Sequence, residues 1–162
     1  SKPIAEDSQK SPSSFYGRTK LAGEFLVEET YRGTAHFCIA RVFSMYSADQ
    51  DPHFLYPSLL RKLSQITESG RLDVSGWNEV RDFSHADKIA DCITWLSGIR
   101  AEGAINMGSG KGVSIAGFAE SLTTEELYFP PELASEEPKH IVADIGRLRS
   151  LGWSPRPGNG NE

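Results

Sequence analysis

The stretch "TAHFCIARVFSMY", Thr34 to Tyr46, constrains the fold most. It is β-branched, aromatic and mostly apolar, and Arg41 is its one acidic or basic residue apart from His36. A run of this kind reads as a strand buried on both faces, the condition of a parallel sheet covered by helices. Its neighbours have helical period. From Pro12 or Ser13 to about Arg32, Phe15, Thr19, Ala22 and Leu26 form one less polar stripe, with Phe25 beside it. After the break "ADQDPH", Leu55 to Ile66 predicts a second helix with Leu55, Leu59, Leu60 and Leu63 on one side.

The alternation continues. Arg71–Ser75 and Glu79–Ser84 read as short strands around a turn at Gly76. Ser84 is then expected to cap a third helix, with Asp87 at N3 and Ala86, Ile89, Ala90, Ile93 and Leu96 repeating along it. "AINMGSG" predicts a strand ending in a glycine turn, and Ser114 a cap for a helix to Leu122. A Pro/Glu-rich loop, Glu125 to Pro138, leads to the short strand "HIVAD" and a helix start at Asp144. The tail 156–162 has the composition of a disordered end. Alternating strands and helices indicate an α/β fold. The strand, glycine-rich turn and helix that normally open a nucleotide-binding sheet are missing from it.

Composition excludes several classes. With 38% hydrophobic and 24% charged residues the 162-residue chain is globular rather than disordered. No uncharged run approaches a membrane span, and no basic, then apolar, leader is seen, so the cytoplasm is the default location. Cys38 and Cys92 lie in apolar stretches and are expected to be buried free thiols. No Cys/His spacing suits a metal. A formal net charge of −5, with its basic residues scattered, argues against a nucleic-acid partner.

Three motifs invite chemistry. "MGSGKGVS", Met107 to Ser114, has the glycines of a phosphate loop but not the spacing. Ile105 stands where a Walker loop needs glycine, Gly112 where it needs Ser or Thr, and Val113 breaks G-x-G-x-x-G. A tight strand-to-helix turn is expected. In "VRDFSHAD", His85 with Asp82 or Asp87 suggests either a relay or a locally hydrogen-bonded helix start, and the latter is favoured. Arg81 there suits bidentate phosphate binding or a structural ion pair equally. Finally, Tyr16 and Lys20 in "SSFYGRTKLAGEF" are four residues apart, on one face of a helix. The counts of the two residue types give about 0.2 such spacings by chance. A phenol is a poor base at neutral pH, and a neighbouring ammonium favours its phenolate, so the pair suits proton transfer beside a hydride transfer. An ordinary surface helix is the competing reading.

Taken in order, "PIAEDSQKSPSSFYGRTKLAGE", "ARVFSMY", "VRDFSHADKIAD", "GAINMGSGKGVSIAGFAESL" and "VADIGRLRSLGW" resemble the C-terminal half of extended short-chain dehydrogenases/reductases. More narrowly, they resemble the NAD-dependent epimerase/dehydratase family acting on nucleotide-sugars. The resemblance covers residues 1–155 as the end of a Rossmann-like part plus a substrate-binding part. It implies that Tyr16 is the acid/base and that Lys20 holds the nicotinamide ribose. It also implies that Phe43 lies against the nicotinamide, that Arg81 binds the substrate diphosphate and that Phe83 faces the base. NAD or NADP is the implied cofactor, a nucleotide-sugar the substrate, and a homodimer the implied assembly.

The chain departs from the family in places. Ser44 stands where many members have an asparagine at the substrate phosphate, and Ser47 where a glycine usually follows Tyr46. "SEEPKH" offers no counterpart to an arginine often found before "VAD". The family's dinucleotide fingerprint and the third catalytic residue belong to an N-terminal half not seen here. The expectation is a truncated epimerase, dehydratase or reductase, inactive alone. The alternative is a non-catalytic binding or self-associating module of the same descent.

Overall fold

The computed structural model describes residues 2–33 and 35–154; the tail expected to be disordered lies outside them. Helix α1 (Phe15–Tyr31) starts where Ser14 stops the chain in an extended conformation and accepts the Gly17 N–H with its side chain. Strand β1 (Cys38–Val42) follows, then β2 (Ser44–Tyr46), with Phe43 between them. The predicted long strand is therefore two strands. β1 pairs in parallel with β5 (Gly103–Met107), whereas β2 pairs in parallel with β4 (Phe83–His85). The Phe43 N–H, donating to the Met107 carbonyl at 3.0 Å, marks where the chain leaves one partner for the other.

Helix α2 (Leu55–Leu63) buries Leu59. Strand β3 (Val80–Arg81) lies between β6 (Val113–Ser114, antiparallel) and β7 (His140–Ile141, parallel). Helix α3 (Ala86–Gly98) turns Ile89, Cys92 and Leu96 inward, and leaves Ile93, expected on the same stripe, 47% exposed. Its cap is His85 rather than Ser84. Ser84 is spent in the β2–β4 ladder opposite Met45, and the His85 Nδ1 accepts the Asp87 N–H. Helices α4 (Ile115–Glu120), capped by Ser114 as predicted, and α5 (Gly146–Ser150) complete the order. In the Pro/Glu-rich loop only Pro131–Leu133 forms a 3₁₀ turn. Arg71 makes a single bridge to Tyr128 in place of the predicted strand.

Two apolar clusters result. One joins α3, β5 and α5 through Ile89, Leu96, Ile105, Met107, Ile145 and Leu148, with Phe43 packed against it. The other gathers Leu59, Leu72, Val74, Ile115, Phe118 and Ala119 under an aromatic layer.

The expected burial of β1 fails. β1 was expected to be covered on both faces, but Cys38, Ala40 and Val42 are exposed. Among the described residues β1 has a partner on one edge only. The less polar stripe on α1 is likewise uncovered: α1 buries no residue, with Phe15 84%, Phe25 60% and Leu26 63% exposed. Both surfaces have the composition of an interior without the layer that would cover it.

What holds α1 in place is polar. Glu24 takes the Arg41 Nε–H and Nη2–H at 2.8 and 2.9 Å, one on each carboxylate oxygen, and also the Lys10 ammonium at 2.7 Å. The remaining Arg41 nitrogen, Nη1, donates to the Glu6 carbonyl at 2.7 Å. Burial pushes the Glu24 carboxyl up, but the hydrogen bonds and charges of Arg41 and Lys10 outweigh it and hold the group below its ordinary range. A carboxylate so lowered contributes stability above its unfolded value, and that stability is lost as pH falls through the folded value. Glu24→Gln should therefore cost about 1 kcal/mol at pH 7 and almost nothing near pH 3, read by urea denaturation at the two pH values.

The cysteines give a second check. Cys92 is buried and its thiol is pushed up to about 11, by burial first and by Cys38 second. Cys38, expected to be buried, is exposed on β1, and partial burial still raises its thiol. A thiol-exchange reagent should modify one cysteine in the native protein, Cys38, faster as pH rises, and reach Cys92 only on unfolding.

Candidate active site

Tyr16, Lys20 and Glu24 follow one another at four-residue steps, so they lie along one face of α1. The Glu24–Arg41 pair ties that face to β1 two residues before Phe43. Toward the start of the helix the same face is open: Tyr16 is 68% exposed, and the Lys20 ammonium lies 5.3 Å from the centre of its ring. Neither the phenol nor the ammonium has a hydrogen-bond partner among the described residues. A phenol and an ammonium presented together, unspent, can give and take a proton and hold hydroxyls.

The other candidates gather on the strands. Phe43 sits at the break between β1 and β2, half-buried against the first apolar cluster. Ser44 and Phe83 are partners in the β2–β4 register, and Arg81 lies two residues before Phe83, on β3. Phe83 is stacked on Phe118, with ring centres 4.0 Å apart and planes 10° from parallel, inside the second cluster. Its ring thus has one face already spent on packing. Arg81 donates from Nη2 to Glu79 at 2.5 Å, and its Nε is buried without an acceptor. Of the two readings of Arg81 left open by the sequence, the structure shows the ion pair, with Nε left without a protein acceptor.

Asp82 is the residue whose part the sequence hid. It is fully buried. Its carboxylate accepts the Ser109 N–H and O–H, each at 2.7 Å, the Gly110 N–H at 2.9 Å and the Ala143 N–H at 3.1 Å. The relay of Asp82 with His85 is absent, because Asp82 is committed to these donors. The same bonds settle the glycine turn. Amides that would cradle a phosphate are occupied by a carboxylate, and a side chain on Gly108 would come within 2.6 Å of Asp82 Oδ2. Val80 and Val142 close on Gly112 in the same way. The turn is filled by the protein's own atoms, so among the described residues it offers a dinucleotide's pyrophosphate no glycine cradle, whereas the Tyr16–Lys20 face is open. The sequence signal for Asp82 was its place beside Arg81 ahead of a glycine turn, which does not by itself indicate burial.

No group of three or more His, Cys, Asp or Glu among the described residues could hold a metal, and no helix among them is long and apolar enough to cross a membrane.

The chain is similar to known proteins in sequence and fold. The chain is 26% identical over 164 residues to a dTDP-L-rhamnose 4-epimerase of Burkholderia thailandensis, covering 94% of this chain and 45% of that protein. The structure of a UDP-glucuronic acid 4-epimerase variant from Bacillus cereus, bound to UDP-4-deoxy-4-fluoro-glucuronic acid and NAD, is 27% identical. It superposes with a TM-score of 0.74, over 98% of this chain and 52% of that one. RMD from Pseudomonas aeruginosa, complexed with NADPH, shares the fold at a TM-score of 0.79 and 23% identity, over 96% of this chain and 56% of its own. The chain spans about half the length of these relatives, or a little less. Its fold is the α/β, Rossmann-like fold of the extended short-chain dehydrogenases/reductases. The GDP-mannose 4,6 dehydratase family profile matches residues 1–156, and the chain belongs to that family.

Proposed function

We propose that the chain is the C-terminal, substrate-binding half of an NAD(P)-dependent nucleotide-sugar epimerase, dehydratase or reductase. The observation that carries this reading is the open Tyr16–Lys20 face, two unspent groups held toward β1 by Glu24 and Arg41. The choice of half is supported by β1. Its free edge and exposed residues, with the uncovered face of α1, are what a sheet presents when neighbouring strands and helices belong to another segment. The nucleotide-sugar class is supported by membership of the family and by the relative solved with a UDP-sugar and NAD.

A bound nicotinamide supplies hydride donation and acceptance. The remaining work falls to this chain's residues. Tyr16 moves the proton at its phenol oxygen, to or from a sugar hydroxyl or carbonyl. Lys20 supplies positive charge beside the ring and holds ribose hydroxyls. Phe43 lies against the nicotinamide. Arg81 takes the substrate diphosphate, Ser44 contacts the substrate and Phe83 offers its remaining face to the base. The pyrophosphate cradle comes from the complementary half.

A second reading rests on the same bare surface: a non-catalytic module that self-associates through β1 and α1. Turnover and mass separate the two. With the complementary half supplied, Tyr16→Phe should lower turnover by about 10²- to 10⁴-fold with little change in melting temperature. An unchanged rate would favour the module. Under either reading sedimentation should show a dimer or larger species, and a clean monomer would count against association.

The filled glycine turn gives a separate check. Titrated with NADH, the isolated 162-residue chain should show no saturable nicotinamide fluorescence change in the micromolar range. Tight binding would overturn the assignment of the cradle to the other half.

A further inference from the structure

Two arginines in this chain pair with glutamates, and they do so differently. Arg41 uses all three nitrogens: Nε and Nη2 meet both oxygens of Glu24, and Nη1 meets a carbonyl. Arg81 uses one bond to its glutamate, Nη2 to Glu79 Oε2, while its Nε is buried with no acceptor. It is the one such side-chain atom among the described residues. The Nε–Nη2 edge of a guanidinium is shaped for two oxygens side by side. A pair built for stability fills that edge, as Glu24 does. Glu79 half-fills it and leaves a buried donor unsatisfied, a standing cost until an acceptor arrives.

Glu79 is also well placed to hold this position. Its N–H closes a turn onto the Gly76 carbonyl at 2.8 Å, and its carbonyl accepts the Ile115 N–H at 2.9 Å. Its side chain lies over Gly76, at 3.4 Å from where a Cβ would stand. Gly76 has φ +66°, so the turn both needs the glycine and leaves room above it. The Glu79 side chain is 16% exposed and that of Arg81 31%, so the pair sits at the surface edge of the strand layer, within reach of a ligand.

We propose that Glu79 is an internal competitor for the Arg81 fork, and that a diphosphate binds there by displacing its carboxylate. Glu79 is then a positioning residue that sets affinity through Arg81. In the free protein it neutralises the guanidinium. In the complex, two adjacent phosphate oxygens take the Nε–Nη2 edge and the carboxylate turns out to water. This rests on reading Arg81 as the diphosphate ligand, and the experiment separates the two claims.

Calorimetric titration of the protein with UDP, and in parallel with inorganic pyrophosphate, compares the wild type with Glu79→Gln, Glu79→Asp, Arg81→Met and the double variant Glu79→Gln/Arg81→Met. Melting curves verify that each variant is folded, and Arg81→Lys replaces Arg81→Met if it is not. Glu79→Gln should bind both probes about tenfold more tightly, a gain that loss of a merely structural contact does not produce. Glu79→Asp, which keeps the charge, should stay near wild type, and the double variant should lose the gain. Equal or weaker binding by Glu79→Gln, with Arg81→Met still weakening it, overturns the role of Glu79 and leaves the Arg81 reading standing. No effect of Arg81→Met in either background, or no binding by any variant, overturns both.

Discussion

The structure depends on a charge in a place where charges are costly. Asp82 has no solvent exposure, and its carboxylate joins three segments far apart in sequence: its own β3–β4 junction, the turn after β5, and the stretch between β7 and α5. The backbone N–H groups of Ser109, Gly110 and Ala143 would lose this acceptor without it, and a buried orphan N–H costs about 1–3 kcal/mol. The arrangement also explains the glycines. Gly108 is required because any Cβ there would meet the carboxylate, rather than because a ligand must approach. The turn resembles a phosphate loop because it binds an anion; the anion is the protein's own. Arg81 and Phe83, on either side of Asp82, are therefore set on the most firmly fixed backbone near the candidate site.

How much of this was legible in sequence follows from the range of each interaction. The helix start at Ser114 was readable, because a cap is decided within three residues, and that of α1 was read one or two residues early, at Pro12 or Ser13 instead of Ser14. The cap of α3 was missed by one residue, because Ser84 was claimed by a strand partner some forty residues away. The break at Phe43 was invisible for the same reason: composition there is uniform, and only pairing with β5 or β4 distinguishes the two halves. Spacing alone was enough to reject "MGSGKGVS" as a phosphate loop. It could not say that Asp82 fills the turn. Tyr16 and Lys20 were legible as a pair, whereas the Glu24–Arg41 clamp that ties their helix to β1 joins residues seventeen apart.

Burial was the least legible property, and the errors share a sign. Val42 and Cys38, in a stretch that reads as a strand buried on both faces, lie exposed. The reasoning from residue type was sound for a complete layer. Among the described residues β1 is paired on one edge and α1 is held by ions rather than by apolar contact, so each presents residues of interior type with no layer to cover them. A groove of about 520 Å³ between β1 and α3, lined by Cys38, Ala40, Ile93 and Leu96, extends the same surface to the other face of the strand. Ala90 and Ile93, both expected on the inward stripe of α3, are exposed, the buried residues are Ile89, Cys92 and Leu96, and Ile93 lines this groove.

The two arginine pairs show why polar geometry carries more functional information here than apolar packing. Apolar clusters in this fold tolerate neighbours of many shapes, and their burial is non-directional. A guanidinium fork is not tolerant: it is either filled or it is not. In Arg41 it is filled, and the pair lashes a helix to a strand. In Arg81 it is half-filled, one residue from the most constrained carboxylate in the molecule. Asp82 removes the freedom of the backbone to shift and satisfy Arg81 Nε by relaxation. An acceptor for this donor can come from water, from a side chain that moves or from a ligand. Rigidity at Asp82 and incompleteness at Arg81 are in this sense one feature, a fixed donor edge kept available by the strand that carries it.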